Sequence, residues 1–252
     1  MTSASCGILE SWTLISIAYC DVPRLKGRQM QISLADKKAV FFGSIGVLAE
    51  TSDLQRQAYN LAFEWAGIKL FWNVGTYCHL LKRSGGLRRL RRSIGPKFPE
   101  EKLTEIHKRK ETIFCEMLSP GMQPRPGVKE LVDWCKTNGK KVGWITATSQ
   151  ANLLAIGNAI TPHVDINDFD LITSGADALR PKPFADVYEF ALDQMGLAAA
   201  DVLAIEDTKV CLKSAESANI ETLFFPNEFS HYNSKPTEPV LQDLRKGITE
   251  LR

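Results

Sequence analysis

The hydrophobic residues of this chain form short runs and helical stripes that alternate along most of its length. Five apolar runs, bounded by turn residues, are typical of buried strands. They cover residues 38–42, 142–145, 171–173, 202–205 and 221–225. Apolar positions at helical spacing lie over residues 54–65, 128–136, 150–156, 187–195 and 209–218. Strands that alternate with helices predict an α/β fold with a doubly wound parallel sheet, whose ligands bind beyond the carboxyl ends of the strands.

One interval departs from this alternation. After the first helix, the chain up to residue 123 is rich in helix formers and charge and contains no strand-like run. We therefore predict a helical cap over 54–123, inserted into a core formed by 38–53 and 124–252. The first 29 residues lack periodicity, and Met30 begins the segment that is typical of a domain. We assign 1–29 to an N-terminal extension that is either disordered or the product of a misassigned start codon.

Composition excludes several classes of protein. The chain has 252 residues, of which 44% are hydrophobic and 24% charged, as in ordinary globular proteins. A net charge of +2 is unlike that of a dedicated nucleic-acid binder, and no apolar run reaches the length of about 20 residues that spans a bilayer. The six cysteines are scattered without zinc-finger spacing, which favours a reducing compartment. We expect a cytoplasmic monomer without a membrane or nucleic-acid partner.

Four segments at the predicted strand ends carry residues suited to chemistry. In chain order they are Val-Phe-Phe-Gly43-Ser-Ile-Gly, Gly-Trp-Ile-Thr146, Arg-Pro-Lys182-Pro-Phe-Ala-Asp and Ala-Ile-Glu-Asp207. Together they resemble the motifs of the haloacid dehalogenase superfamily, closest to its capped branch of β-phosphoglucomutase-like and phosphoglycolate-phosphatase-like enzymes. The resemblance extends from residue 38 to the C-terminus and implies a Rossmann-like core, a helical cap and a small phosphorylated or otherwise anionic ligand.

The first of these motifs is altered in this chain. In the family it is Asp-x-Asp-Gly, where the first Asp attacks phosphorus and the second is the general acid and base. Gly46 fixes the register, so Gly43 stands at the nucleophile position and Ile45 at the acid/base position. Neither side chain performs these roles, and loss of a nucleophile alone costs roughly 10⁴- to 10⁶-fold in rate. We expect conventional phosphoryl transfer to be lost.

The resemblance also implies a Mg²⁺ ion. In the family the ion takes oxygens from the nucleophile, from the backbone carbonyl at the position of Ile45 and from the acid of the fourth motif, which is Asp207 here. Glu206 is a further ligand or, alternatively, a structural partner of Lys182. Mg²⁺ demands nearly ideal octahedral oxygen coordination. Without a carboxylate at position 43, we expect this site to be weak or lost.

The second and third motifs carry the predicted phosphate-binding groups. By resemblance, the Thr146 hydroxyl, the backbone N–H of Ala147 and the Lys182 ammonium hold phosphoryl oxygens. The alternative for the second motif is structural, because Thr148 or Ser149 is suited to cap the helix that follows.

Two polar residues near the first motif are weaker candidates. Glu50 matches an acidic position of the family and could contact the ligand or move a proton, but it is equally suited to cap the first helix. Thr51, Ser52 and Asp53 are further capping candidates. Ser44 is a tempting substitute nucleophile, but side chains alternate along a strand, so we expect Ser44 to point away from the pocket.

The predicted cap is locally basic. Residues 82–111 contain eleven Lys and Arg against four Glu, with Arg88, Arg89, Arg91 and Arg92 close together. Such a cluster can contact nucleic-acid phosphates, but no aromatic residues are interleaved with it. The resemblance offers another interpretation, because the corresponding cap segment of sugar-phosphate enzymes contributes a basic residue to substrate recognition. We expect Arg88 or Arg89 to face the pocket.

Three functional hypotheses remain open at this stage. The first is a hydrolase-like protein that binds a phosphorylated or anionic ligand and has lost aspartyl-phosphate chemistry. The second is an active hydrolase whose catalytic groups are unassigned, with water or Glu50 in the catalytic role. The third is an interaction scaffold, because a fold does not by itself imply a function.

Overall fold

The computed structural model describes residues 32–231 and 240–251, so the predicted extension 1–29 lies outside the described residues. A parallel five-stranded sheet forms the core, with the strands in the spatial order β3-β2-β1-β4-β5. The strands are β1 (Ala39–Phe42), β2 (Lys141–Trp144), β3 (Leu171–Ile172), β4 (Val202–Glu206) and β5 (Glu221–Phe224). All five predicted strands are therefore confirmed, and β1 lies at the centre of the sheet.

Ten α-helices surround or extend this sheet in the described part of the chain. They are α1 (Ser52–Trp65), α2 (Val74–Leu80), α3 (Gly86–Ile94), α4 (Glu100–Leu118), α5 (Val128–Thr137), α6 (Gln150–Ile160), α7 (Asp186–Met195), α8 (Lys209–Ser217), α9 (Glu228–His231) and α10 (Leu244–Gly247). Helices α1 to α4 occupy the interval between β1 and α5, and α4 packs on α1, on α3 and on α6. None of the helices described is long and apolar enough to cross a membrane.

The central strand is buried on both faces, as its continuous apolar sequence predicts. Val40 and Phe42 belong to the larger apolar cluster, which continues into the helices between β1 and α5. Ala39 and Phe41 belong to a second cluster on the opposite face, with α7 and α8. Fully burying a side chain such as Phe41 contributes roughly 1.5 to 3 kcal/mol. The two clusters fix the sheet between its helical layers and so fix the positions of the strand ends.

The buried Arg125 connects the segment that follows α4 with the loops at the strand ends. The backbone N–H of Arg125 donates to the Leu48 carbonyl at 2.8 Å. Its guanidinium donates to the carbonyls of Gly46 at 2.5 Å, Phe225 at 2.7 Å and Pro226 at 2.9 Å. The same group lies 3.5 Å from the centre of the Phe225 ring. Arg125 therefore holds the loops after β1 and β5 in a fixed relation.

Candidate functional site

An ion pair joins the third and fourth motifs beneath the strand ends. The Lys182 ammonium contacts Glu206 Oε1, and the Tyr188 hydroxyl donates to the same oxygen at 2.5 Å. Lys182 Nζ also donates to the Ile145 carbonyl at 3.5 Å, so it reaches the end of β2 just before Thr146. Lys182 and Glu206 are only 6% and 2% exposed. The structure thus brings together the second, third and fourth motifs.

The ion pair determines the charge of Lys182. Burial by itself disfavours the charged amine, but the Glu206 carboxylate outweighs that effect and holds the pKa of Lys182 above its ordinary value. Tyr188 is fully buried, and burial together with Glu206 raises the pKa of its hydroxyl well above the usual range. The hydroxyl therefore stays protonated and donates to Glu206. The structural partnership of Lys182 and Glu206 is present, and the role of Lys182 in ligand binding stays a prediction.

Gly43 and Ile45 follow β1 at the same edge of the sheet. The N–H of Gly43 donates to the Ile205 carbonyl at 3.0 Å, which continues the pairing of β1 with β4. A Cβ atom built on Gly43 would lie 2.4 Å from Glu206 Oε2 and 2.9 Å from a Val47 methyl group. The Glu206 carboxylate therefore occupies the space into which a side chain at position 43 would extend.

Asp207 lies beside the backbone of the first motif. It is 5% exposed, and Asn227 Nδ2 donates to its Oδ2 at 3.1 Å. Gly46 has a φ of +78°, and a Cβ there would lie 2.3 Å from the same carboxylate oxygen. Burial, followed by the neighbouring carboxylates of Glu206 and Glu50, raises the pKa of Asp207 well above its ordinary value. Only glycine fits at position 46, because the conformation is left-handed and the carboxylate is so close.

The residues present do not fit the Mg²⁺ ion that the resemblance implies. Gly43 supplies no side-chain oxygen, and Oε1 of Glu206 already accepts from Lys182 and Tyr188. The remaining oxygens at this edge are those of Asp207, the other Glu206 oxygen and the Ile45 carbonyl. Mg²⁺ demands near-ideal octahedral geometry and is usually bound by one or two carboxylates together with waters, and here the carboxylate that the resemblance implies at position 43 has no counterpart.

The loop after β2 offers backbone donors that make no hydrogen bond within the described part of the chain. The N–H of Thr146 donates to Thr173 Oγ1 at 2.8 Å, and the Thr146 hydroxyl accepts from the N–H of Thr148 at 3.1 Å. The side chain of Ser149 caps α6, so the structural alternative is present at that residue. The N–H of Ala147 makes no hydrogen bond to any described residue. It lies just before the N-terminus of α6, where helix amides favour anions.

Glu50 caps the first helix, as one of its two predicted roles requires. Its Oε1 accepts from the N–H of Ser52 at 2.7 Å, whereas the Thr51 side chain makes no capping hydrogen bond. Asp53 pairs with Arg56 at 2.7 Å instead of capping. Thr51 occupies the N-cap position, but the predicted side-chain cap by Thr51, Ser52 or Asp53 was wrong, because the Glu50 carboxylate accepts from the helix amide instead. Burial raises the pKa of Glu50, and its position near Asp207 adds to the pKa shift there.

Several buried polar atoms near the strand ends have no hydrogen-bond partner in the described part of the chain. They are Ser44 Oγ, Glu50 Oε2, Thr51 Oγ1, Gln55 Nε2 and Thr208 Oγ1. Buried polar groups in folded proteins are almost always paired with protein or water. A concentration of unpaired atoms in the segments that follow β1 and β4 is typical of a site that receives water or a polar ligand.

The two arginines predicted to face the pocket have partners within the helices between β1 and α5. Arg88 is exposed, and its guanidinium donates to the Ser84 carbonyl at 3.2 Å. Arg89 is 9% exposed, lies 5.5 Å from the centre of the Tyr77 ring and donates to the Leu80 carbonyl at 3.4 Å. The Ser84 hydroxyl donates to the Lys182 carbonyl and so docks this loop on the core. Ligand contact by either arginine stays a prediction.

Sequence reasoning missed several residues of the site. A cavity of about 340 Å³ lies between α2 and α8, and Lys82, Thr208 and Lys209 are among its lining residues. Tyr188 lies within α7, and no sequence signal distinguished it from other buried aromatic residues. In the sequence Cys211 is one of the scattered cysteines, yet the structure places its thiol near Glu206 and Asp207. Burial raises the pKa of this thiol to about 12.

A buried lysine lies deeper in the helices between β1 and α5. Lys110 is 1% exposed, and its ammonium contacts Gln55 Oε1 and lies 5.1 Å from the Tyr59 ring and 4.9 Å from the Phe114 ring. Burial lowers the pKa of Lys110 to about 7. In the sequence it belongs to a Lys-Arg-Lys run that looks like a solvated face, so only its place on the α1-facing side of α4 could have indicated burial.

The fold and the strand-end motifs define an α/β protein with a parallel sheet and a polar site at the carboxyl ends of its strands. The family model of haloacid dehalogenase-like hydrolases matches residues 46–225, and the chain belongs to this family. The matched span begins at Gly46, after Gly43 and Ile45. The predicted superfamily and its fold are therefore confirmed.

Individual relatives agree with this assignment. The chain is 34% identical to protein CbbY of Rhodobacter capsulatus over 197 residues, which cover 77% of this chain and 87% of the relative. It is 26% identical to the phosphorylated carbohydrates phosphatase of Thermotoga maritima, over 74% of this chain and 84% of that protein. The crystal structure of CbbY from Rhodobacter sphaeroides in complex with phosphate superposes with a TM-score of 0.73 at 28% identity, and covers 81% of this chain and 93% of the other. A mutant of that protein was crystallised in complex with xylulose-(1,5)bisphosphate.

Proposed function

We propose that this protein binds a phosphorylated sugar at the strand ends, beneath the helices α1 to α4, and does not turn it over by the aspartyl-phosphate route. The observation that carries the proposal is the survival of one half of the site. Lys182 and the free N–H of Ala147 remain at the strand ends, while Gly43 and Ile45 supply no carboxylate. The names of the relatives support a sugar phosphate as the ligand class.

The electrostatics of the site support binding of an anion without Mg²⁺. Absence of carboxylates at positions 43 and 45 leaves the pocket less negative than an Asp-x-Asp-Gly motif would. Lys182 stays charged, because the pKa of its amine is held above its ordinary value. The scattered cysteines favour a reducing compartment, so we place this function in the cytoplasm. The monomeric state stays a prediction.

A thermal unfolding experiment tests the proposal. In chelator-treated buffer, inorganic phosphate and a panel of sugar monophosphates and bisphosphates are added to the full chain. A ligand at about 100 times its Kd adds about 2.7 kcal/mol of stability, which raises the Tm by roughly 5 to 10 °C for a protein of this size. Lys182→Ala should remove most of the shift. The matched control Lys213→Ala changes an exposed lysine of α8 and should retain it.

Two outcomes would contradict the proposal. If no phosphorylated compound raises the Tm, the scaffold hypothesis becomes the better account. If the shift survives both Lys182→Ala and Thr146→Val, the ligand binds elsewhere.

The second candidate function is an active hydrolase with a replaced catalytic group. One observation favours it, namely that Glu206 Oε2 lies 2.4 Å from the place of a Cβ at position 43. A carboxylate is therefore present next to the position of the missing nucleophile, although it comes from a different strand. Phosphate release that is measurable with the wild type and lost with Glu206→Gln would favour this candidate over the first.

A further inference from the structure

The loop after β2 carries the amides that the proposed function assigns to anion binding. The N–H groups of Ala147, Ser149 and Gln150 make no hydrogen bond to any described residue, and Ala147 and Gln150 are exposed. Gln150 begins α6, so these donors belong to the turn that leads into a helix, where unpaired amides attract anions. How well they hold an anion depends on how firmly the loop itself is held.

Side chains hold this loop at two neighbouring residues. The Thr148 hydroxyl accepts from Asn152 Nδ2 at 3.2 Å, and the Thr148 carbonyl accepts from the N–H of Gly175 at 2.8 Å. The Ser149 hydroxyl accepts from the N–H of Asn152 at 3.4 Å and donates to Glu111 Oε1. Asn152 and Gly175 lie close to the loop in the sequence, whereas Glu111 reaches it from α4.

The contact with Glu111 determines how the Ser149 hydroxyl is used. A hydroxyl has one hydrogen to donate and two lone pairs that accept. Because the hydrogen goes to the carboxylate, a lone pair is left for the N–H of Asn152, and the hydroxyl caps α6. Hydrogen bonds with one charged partner are roughly twice as strong as neutral ones. Glu111 therefore fixes the orientation of the cap that ends the loop.

The Glu111 carboxylate is itself held in place along α4. One turn before it, His107 Nδ1 lies 3.8 Å from Glu111 Oε1. One turn after it, the Cys115 thiol donates to the Ala151 carbonyl at 3.7 Å, which joins α4 to the first turn of α6 a second time. The Glu111 side chain is only 17% exposed, which restricts its movement. The carboxylate is thus kept against the loop after β2.

We propose that Glu111 is a positioning residue, which acts through Ser149 to hold the loop after β2 in the conformation that binds a phosphoryl group. The inference rests on the proposed function, because it assigns a role in the same site. Glu111 does not itself bind the anion, since two negative charges repel each other. Without the carboxylate, the Ser149 hydroxyl is free to rotate and the loop populates other conformations. The apparent Kd then rises by the inverse of the fraction of molecules that keep the binding conformation.

The test measures the Kd of the full chain for inorganic phosphate and for the same panel of sugar phosphates, by calorimetric titration in chelator-treated buffer. Glu111→Ala should raise the Kd about tenfold, the factor expected for one lost hydrogen bond to a charged group. Glu111→Gln keeps an acceptor for the hydroxyl and should restore most of the affinity. Glu116→Ala is the matched control, because it removes the same charge from an exposed position of α4 and should leave the Kd unchanged.

Amide hydrogen exchange without ligand separates positioning from an effect of charge alone. In Glu111→Ala the N–H of Asn152 should exchange about tenfold faster, because its acceptor is no longer held, whereas the amides of residues 155–160 should not change. Ser149→Ala covers the case in which Glu111→Ala does not fold. It removes the other partner of the same hydrogen bond and should raise the Kd to a similar extent, and Ser149→Thr keeps the hydroxyl and should restore the affinity.

The outcomes distinguish this inference from the function on which it rests. If the wild type binds neither phosphate nor a sugar phosphate, the proposed function is overturned and the inference with it. If the wild type binds and Glu111→Ala binds equally well or more tightly, only the inference is overturned. It is also overturned if the Kd of Glu111→Ala rises without faster exchange at Asn152, or if Glu111→Gln does not restore the affinity.

Discussion

The charge on Lys110 should make the stability of the protein depend on pH in a defined direction. The amine is 1% exposed and lies between two aromatic rings, with Gln55 Oε1 as its hydrogen-bond partner. Its pKa falls from an ordinary 10.5 to about 7 in the folded protein. Between these values the unfolded chain binds one proton more than the folded chain. The free energy of unfolding therefore rises with pH across that window by about 1.4 kcal/mol per unit.

The same shift gives the size of the effect of a substitution. A pKa that is lowered from 10.5 to about 7 corresponds to a destabilisation of the folded protein of roughly 5 kcal/mol. This destabilisation is present in full below about pH 7 and absent above about pH 10.5. Lys110→Met keeps the length of the side chain and removes the charge. The Gln55 carbonyl loses its donor, which costs about 1 kcal/mol. The variant should thus be more stable than the wild type by roughly 3 to 4 kcal/mol below about pH 7, and the difference should shrink as pH rises.

Urea unfolding of both proteins from about pH 6 to about pH 9 measures this difference. Lys108→Met, on the exposed side of the same helix, is the control and should show no such pH-dependent gain. A Lys110→Met variant that is less stable than the wild type at every pH would refute the reasoning. A stability difference that does not change with pH would refute it as well.

Three further predictions concern the strand ends. Lys182→Met should lower the free energy of unfolding in urea by roughly 3 to 5 kcal/mol, because Glu206 is left buried without its cation. Adding Glu206→Gln should restore much of this loss. A loss below about 1 kcal/mol would contradict the buried ion pair. Gly46→Ala should lower the Tm more than Gly67→Ala, because both have positive φ but only a Cβ at Gly46 meets other atoms within 4 Å; equal Tm changes would show that the close contact at Gly46 is unimportant. Arg125→Lys should lower stability by about 1 to 3 kcal/mol in urea unfolding, because one ammonium does not reach all three carbonyls that the guanidinium holds; an unchanged midpoint would contradict that clamp.

Hydrophobic periodicity was sufficient to predict the fold. Strands such as β1 and β4 are short continuous apolar runs bounded by turn residues, and the intervening helices carry longer apolar stripes, so period and run length together separate the two classes. The order of the four motifs predicted which strand ends meet, and the contact of Lys182 with Glu206 confirms that they do.

The details of the site depend on distances that the sequence does not carry. Glu206 fills the space beside Gly43 for two reasons. The register of β1 against β4 places these two residues side by side, and the Tyr188 hydroxyl on α7 holds the Glu206 carboxylate by a hydrogen bond. Lys110 looks solvated within a basic run, and only its packing against α1 buries it. The thiol of Cys211 lies near the carboxylates of Glu206 and Asp207 because this residue is in the first turn of α8.

The central claim is that the phosphate-binding half of the site survives without Asp-based catalysis. Phosphorus NMR of the full chain with a sugar bisphosphate tests both parts of the claim in one sample, because it reports binding and phosphate release together. The account predicts a broadened or shifted ligand resonance that reverts with Lys182→Ala, and no growth of the inorganic phosphate signal over many hours. Accumulation of inorganic phosphate at a turnover near the typical enzymatic rate of about 10 s⁻¹ would contradict it.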